Sequence, residues 1–264
     1  MNFIVINVIT MLARLDINSD LGERDSSEWL RLAADMMPLI TSVNIACGAH
    51  AGTPDLMLHT ARLAARHGVA IGAHPGFRDQ FGFGRIEQSL ALDDIEKLIA
   101  DQITALASVL TQEGFSIGHV KPHGALYNMA AVRRSVAQAV VKSVASIDPT
   151  LLLYALSGSV LAEEALNAGI VVVREAFADR AYWTDGTLVP RSEPGALLTS
   201  DDAVLRQLHQ LLSGSVTSID GKVLRVEADS ICLHTDDVRA IPLAQMIRRE
   251  LDTAGIIVAA VRHA

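Results

Sequence analysis

Short apolar runs alternate with longer stretches of helical period along this chain. Leu12–Asn18, Ser42–Ala46, Ala70–Ala73, Gly118–Lys121, Leu151–Ala155, Ile170–Arg174, Val216–Ser218, Ser230–His234 and Ile256–Val261 read as strands, being brief and bounded by turn-forming residues. Between them, Ser26–Met36, Pro54–His67, Leu92–Glu113, Val132–Ile147, Val160–Ala168, Asp201–Leu212 and Ile241–Ala254 repeat apolar residues at the spacing that gives a helix one apolar face. Strand followed by helix, many times over, means parallel strands joined by crossover helices. Two architectures satisfy that order, an open doubly wound sheet and a closed barrel. The 264 residues suit a TIM-like β/α barrel, typically of about 250. No GxGxxG follows a strand, which removes the usual signature of the dinucleotide-binding open sheet. The expectation is therefore one α/β domain, a β/α barrel over residues 14–264, with residues 1–13 an N-terminal extension outside it. Leu188–Ser200, containing "PRSEPGALL", is the longest interruption and reads as a lid or an extra strand pair, and Asp220–Gly221 as the turn of a small hairpin.

Composition narrows the function classes. Twenty-two basic against thirty acidic residues leave a net charge of −8, which argues against a general nucleic-acid or anionic-membrane binder. The opening "MNFIVINVITML" lacks a basic flank and is shorter than the roughly 20 residues that span a bilayer, so neither a signal peptide nor a membrane span is expected. The two cysteines, Cys47 and Cys232, make no disulfide framework and no CxxC pattern, and fit a reducing cytoplasm.

The polar clusters fall at strand ends. "DINSDLGE" (16–23), "NIACGAH" (44–50), "GAHPGFRD" (72–79), "VKPHGALYN" (120–128), "REAFADRAY" (174–182) and "LHTDD" (233–237) each close a strand, so in a β/α fold all six converge on one rim. Strand alternation turns Asp16, Asn18 and Asp20 to one side, into the barrel mouth. Carboxylates held together repel, and a proton, a cation or a basic partner relieves this. One of them could cap the following helix, but "DINSDLGE" holds more carboxylates than one cap needs.

His50, His74 and His123 sit in Gly/Ala/Pro-rich turns after three different strands. Two or three imidazoles with Asp20 would ligate a divalent metal that activates water. They serve equally as acid–base or hydrogen-bonding groups, and their spacing is none of the short metal motifs. His59, His67 and His209 lie in helices and read as surface residues. Cys47 is read as a packed thiol in preference to a nucleophile paired with His50. Lys121 and Arg180, cations at strand ends, suit a substrate carboxylate or phosphate; the plainer alternative is a salt bridge to a neighbour such as Asp179. No P-loop is present, "DGKV" at 220–223 lacking both the upstream glycine spacing and the following Ser or Thr.

In this order, "DINSDLGE", "SVNIACGAHAGTPDLM", "GAHPGFRDQFGFGR", "VKPHGALYN" and "REAFADRAY…G.LVPRSEPGA" resemble the LamB/YcsF family from about Leu15 to the C-terminus. The resemblance implies a seven-stranded β/α barrel of the glycoside hydrolase/deacetylase type. It also implies an ATP-dependent 5-oxoprolinase reaction, in which 5-oxo-L-proline becomes L-glutamate as ATP is hydrolysed, with ATP and Mg²⁺ or another divalent metal as cofactors and the B and C subunits of that enzyme as partners. The motif residues it marks are Asp20, Glu23, His50, His74, Lys121 and His123, taken as catalytic, and Asp16, Asn18, Asn44, Asp79, Glu175, Asp179 and Arg180, taken as substrate-binding; Asp20, His50 and His74 are the candidate metal ligands. A rival reading is a metal-dependent amidohydrolase or deacetylase that needs no ATP, and a third is a non-catalytic binding component of a multi-subunit lactamase.

Overall fold

The computed structural model describes residues 14–235 and 239–262. The extension expected at residues 1–13, and Asp236 and Asp237 of "LHTDD", lie outside the described residues. Seven parallel strands close into a ring: β1 (Arg14–Leu21), β2 (Ser42–Ala46), β3 (Ala70–His74), β4 (His119–Val120), β5 (Leu152–Leu156), β6 (Val172–Phe177) and, after a hairpin of β7 (Ser215–Thr217) and β8 (Val223–Arg225), β9 (Ser230–Leu233). Strand β9 closes the ring by pairing with both neighbours, Ser230 standing opposite Glu175 on one side and Asp16 on the other. The hairpin turns at Gly221, whose φ of 81° only glycine adopts without strain. A last strand, β10 (Ile257–Val258), pairs with Arg14 and Leu15 outside the ring.

Among the described residues, eight helices surround the barrel: α1 (Ser27–Met36), α2 (Pro54–His67), α3 (Leu92–Thr111), α4 (Gly124–Val132), α5 (Arg134–Ile147), α6 (Val160–Asn167), α7 (Asp201–Leu212) and α8 (Ala240–Thr253). Helix α2 shows how local sequence sets the ends. Thr53 accepts from the Leu56 amide, Pro54 fills the first turn, and Gly68 ends the helix in a left-handed conformation. The apolar core lies between ring and helices. Ile17, Val43, Ile45 and Ile231 point outward from the strands onto the buried faces of helices such as α3, which contributes Ile95, Ile99, Ile103 and Leu106. The alternate positions, Asp16, Asn18, Ser42, Asn44 and Ser230, turn inward, so the barrel interior is polar.

Three expectations change. Strand β1 starts later than expected and runs on to Leu21, which puts Asp16, Asn18 and Asp20 inside the strand instead of after it. Helix α4 was not anticipated: it buries Ala125, Leu126, Tyr127, Met129, Ala130 and Ala131, and a helix covered nearly all round shows no apolar stripe. The Val216 and Ile256 runs stay out of the ring, which therefore has seven strands. Leu188–Ser200 is an irregular loop, tied back by the isolated bridges Tyr182–Leu188 and Arg180–Leu197. Among the described residues no helix is long and apolar enough to cross a membrane.

Candidate active site

The inward side chains of β1 occupy three successive levels of the barrel. Asp16 is lowest and fully enclosed, and four hydroxyls, those of Thr41, Ser42, Tyr154 and Ser230, donate to its carboxylate. Burial pushes its carboxyl above the usual range, and these hydrogen bonds offset the effect only in part. Asp16 therefore forms the floor, away from the mouth.

The middle level is a network around one cation. Lys121 Nζ lies 2.8 Å from Glu175 Oε1, 3.0 Å from Asp20 Oδ1, 3.1 Å from Asn18 Oδ1 and 3.2 Å from Cys232 Sγ. Asn18 Nδ2 donates to Glu175 and Ser230, Asn44 Nδ2 to Asn18 and Asp20, and the Tyr127 hydroxyl to Glu175 at 2.7 Å. His119 completes the layer, its Nε2 2.8 Å from Asn44 Oδ1. Its ring fits only because residue 72 is glycine: a Cβ there would stand 2.1 Å from His119 Nε2. Burial, then the charge of Lys121, pushes the His119 imidazole down to about 3, so it is neutral. Asp20 behaves oppositely. Burial alone would raise it, but His74 and Lys121 hold its carboxyl well below the usual range.

At the top, three imidazoles meet. His74 Nε2 is 3.2 Å from Asp20 Oδ2 and 2.9 Å from His123 Nδ1, and the His50 ring stacks on His123 at 3.8 Å between centroids. Burial, then His74, pushes His50 down to about 3, and neither of its ring nitrogens has a hydrogen-bond partner. Asp79 shapes the covering loop, accepting from the Gly82 amide with its side chain and from the Gly84 amide with its carbonyl. That loop turns through Phe83, whose φ of 56° is the one left-handed value at a non-glycine among the described residues.

Above this level a cavity of about 590 Å³ opens, lined by Asp20, His74, Lys121 and His123 below and by Arg85, Arg180 and Arg191 toward the rim. Arg180 donates to the Val189 carbonyl at 2.6 Å while its buried Nε has no partner, and Asp179 takes His234 Nδ1 at 2.7 Å. The sites read from sequence thus divide. Asn18, Asp20, Asn44, His74, Lys121, His123 and Glu175 are one connected network, with His50 stacked on it and Glu23 Oε1 3.8 Å from His50 Nε2. Asp16, Asp79 and Asp179 support the floor, the loop and His234.

The motifs that carry this network are matched by the model of the LamB/YcsF family over residues 15–264. The chain belongs to that family. Its relatives include the 5-oxoprolinase A subunit of Heliobacterium modesticaldum, 47% identical over 94% of this chain and 98% of the relative, and that of Bacillus subtilis, 44% identical over 94% and 97%. The crystal structure of a lactam utilization protein from Thermus thermophilus is 42% identical and covers 94% of this chain and 100% of its own, at a TM-score of 0.85.

For this LamB/YcsF member, sequence reasoning passed over Tyr127, His119 and Cys232. Tyr127 sits on the unanticipated helix, and His119 and Cys232 lie within strands, where only the inward register marks them. The metal set also shifts. Asp20 gives one oxygen to Lys121 and Asn44, and the group whose donor atoms all lie within 4.8 Å of one another is Glu23, His50, His74 and His123.

Proposed function

We propose that this chain is the A subunit of an ATP-dependent 5-oxoprolinase, which opens 5-oxo-L-proline to L-glutamate with ATP hydrolysis and works with partner B and C subunits in the cytoplasm. The observation that carries the reading is that relatives 42–47% identical, matched over nearly their whole length, bear that name. The five-membered lactam is a stable amide, and phosphorylation of its oxygen turns a poor electrophile into a good one. Water then adds to that carbon, the ring nitrogen leaves as the amine, and a second water frees phosphate from the acyl phosphate.

The roles follow from the network's chemistry. Lys121 presents a permanent cation to developing negative charge, and Arg180, with a free Nε, takes the substrate carboxylate or phosphoryl oxygens. Asp20, held ionised, keeps Lys121 and His74 in place, and Glu23 at the rim serves as the base toward water. His50, His74 and His123 carry protons or bind substrate, and Asn18, Asn44 and Glu175 hold the cation from below. Magnesium accompanies the ATP phosphates, meeting oxygen donors. The rival reading, ATP-independent amide hydrolysis on a metal, is favoured by the imidazole cluster alone. Glutamate release from 5-oxoproline, by the chain alone and mixed with candidate B and C subunits, with and without ATP, separates the two. Release only in the ATP-containing mixture supports the proposal, and ATP-independent release by the chain alone overturns it.

A further inference from the structure

The backbone assigns the protons of two of the three clustered imidazoles. His74 Nδ1 is 2.7 Å from the Lys121 carbonyl and His123 Nε2 is 2.8 Å from the Phe83 carbonyl, and a carbonyl only accepts, so both nitrogens carry hydrogen. A neutral ring has one such proton. His74 Nε2 and His123 Nδ1 are then lone pairs facing each other at 2.9 Å, with an Asp20 oxygen 3.2 Å from the former. Electron pairs at that spacing repel unless something positive lies among them. A second proton on His74 would reconcile these three atoms, but it would leave His50 as it is: 1% exposed, unpartnered on both nitrogens, and turned with Nε2 toward Glu23. An unsatisfied buried polar group costs about 1–3 kcal/mol, and a cation shared by all the donors removes that cost.

We propose that His50, His74, His123 and Glu23 form a resident site for a divalent d-block cation of the zinc class, with Asp20 as the adjoining carboxylate. The four donor atoms lie within 4.8 Å of one another. Ligand distances of about 2.0–2.2 Å allow donors up to about 4.4 Å apart, so a shift of a few tenths of an ångström at one side chain closes the shell. The carbonyls behind His74 and His123 are the outer partners that fix a metal-binding imidazole's tautomer. Three nitrogens and one oxygen favour zinc, cobalt or iron over magnesium. The surroundings are shaped for this cluster. A Cβ at Gly76 would stand 2.8 Å from His50 Nδ1, one at Gly84 2.9 Å from His50 Cβ and His123 Cδ2, and Phe83 keeps a strained backbone to present the carbonyl that holds His123. Such a cation would polarise a carbonyl oxygen or a water at the cavity floor. The inference rests on the donor set and holds whichever amide is the substrate.

The test uses the full-length chain, stripped by a chelator and titrated with cobalt(II) alone, followed by visible absorption, with metal content measured after gel filtration. About one cobalt per chain, displaced by zinc, is expected. The His50→Ala and His123→Ala variants should lose it, and Asp20→Asn should keep it. A folded wild-type chain that takes up no cobalt, or equal uptake by a His50→Ala/His123→Ala variant, overturns the site and identifies the bridging species as a proton. Uptake lost in Asp20→Asn while His50→Ala retains it also overturns the assigned ligands. None of these readouts depends on turnover, so their failure is distinct from failure of the 5-oxoprolinase reading.

Discussion

Replacing Lys121 by methionine keeps the side chain's length and removes its charge from the middle of the barrel. In the intact protein the ammonium lies 2.8 Å from a Glu175 carboxylate that is wholly buried and 3.0 Å from an Asp20 carboxylate whose side chain is 18% exposed. Removing one member of a buried ion pair strands the other, at about 3–5 kcal/mol. Glu175 keeps its hydrogen bonds from Asn18 and Tyr127, and Asp20 keeps those from Asn44 and His74, which points to the lower end, about 3 kcal/mol. For a chain of this size that is a fall in Tm of roughly 6–12 °C. Glu175→Gln in the same background should recover at least about 1 kcal/mol, since the stranded charge is then gone. The pH dependence has a definite sign. Asp20's carboxyl, lowered in the folded state by His74 and Lys121 against the effect of burial, contributes stability that is present above its unfolded pKa of about 3.9 and lost as pH falls through the folded value. Without Lys121 that contribution shrinks, so the gap between wild type and variant is full at neutral pH and narrows below about pH 4. Urea unfolding followed by far-UV circular dichroism reads both quantities. A loss under about 1 kcal/mol at neutral pH, or no coupling in the double variant, would mean that the pair is effectively solvated and the interior network is not what holds the site.

Two further outcomes follow from the packing. Gly72→Ala places a methyl 2.1 Å from His119 Nε2 and must displace a ring that is hydrogen-bonded to Asn44, so it should cost about 2–4 kcal/mol in urea unfolding, with part of that recovered by adding His119→Ala. A cost below about 1 kcal/mol would show that the ring yields freely. Cys47 and Cys232 are both buried, and burial pushes the Cys47 thiol up to about 12 and that of Cys232 well above its ordinary value, Lys121 notwithstanding. A disulfide reagent at mildly alkaline pH should therefore find no reactive thiol in the folded chain and two after unfolding; a fast-reacting thiol in the native state contradicts the placement.

Alternation of strand and helix was legible from the sequence because most helices here bury one face only, as α2 and α7 do. Helix α4 was hidden for the opposite reason, its residues being buried nearly all round. Convergence of Asp20, His50, His74, Lys121 and His123 was legible from their positions at successive strand ends, which any parallel barrel gathers on one rim. Depth was not. A period of two says that Asp16, Asn18 and Asp20 share a side, but only the register, Asp16 level with Ser230 and Asp20 with Asn44, says that they descend from mouth to floor. The partners of a buried charge come from other strands and are invisible to local pattern: Tyr127 on Glu175, Asn44 on Asp20 and His234 on Asp179 are 48, 24 and 55 residues apart in the chain. The imidazole tautomers depend on two backbone carbonyls, one on a strained residue, and no sequence motif records those.

If lactam opening takes place in the interior of this barrel, the charge at its centre must matter to turnover. The most direct test is ATP-dependent glutamate release from 5-oxoproline by the chain combined with active B and C subunits, comparing wild type with Asp20→Asn, a change that keeps the side chain's shape and removes the charge facing Lys121 and His74. The expected result is a fall of about 10²-fold or more, with circular dichroism and assembly unchanged. Wild-type release by the Asp20→Asn complex would contradict an interior reaction and move the chemistry to a partner.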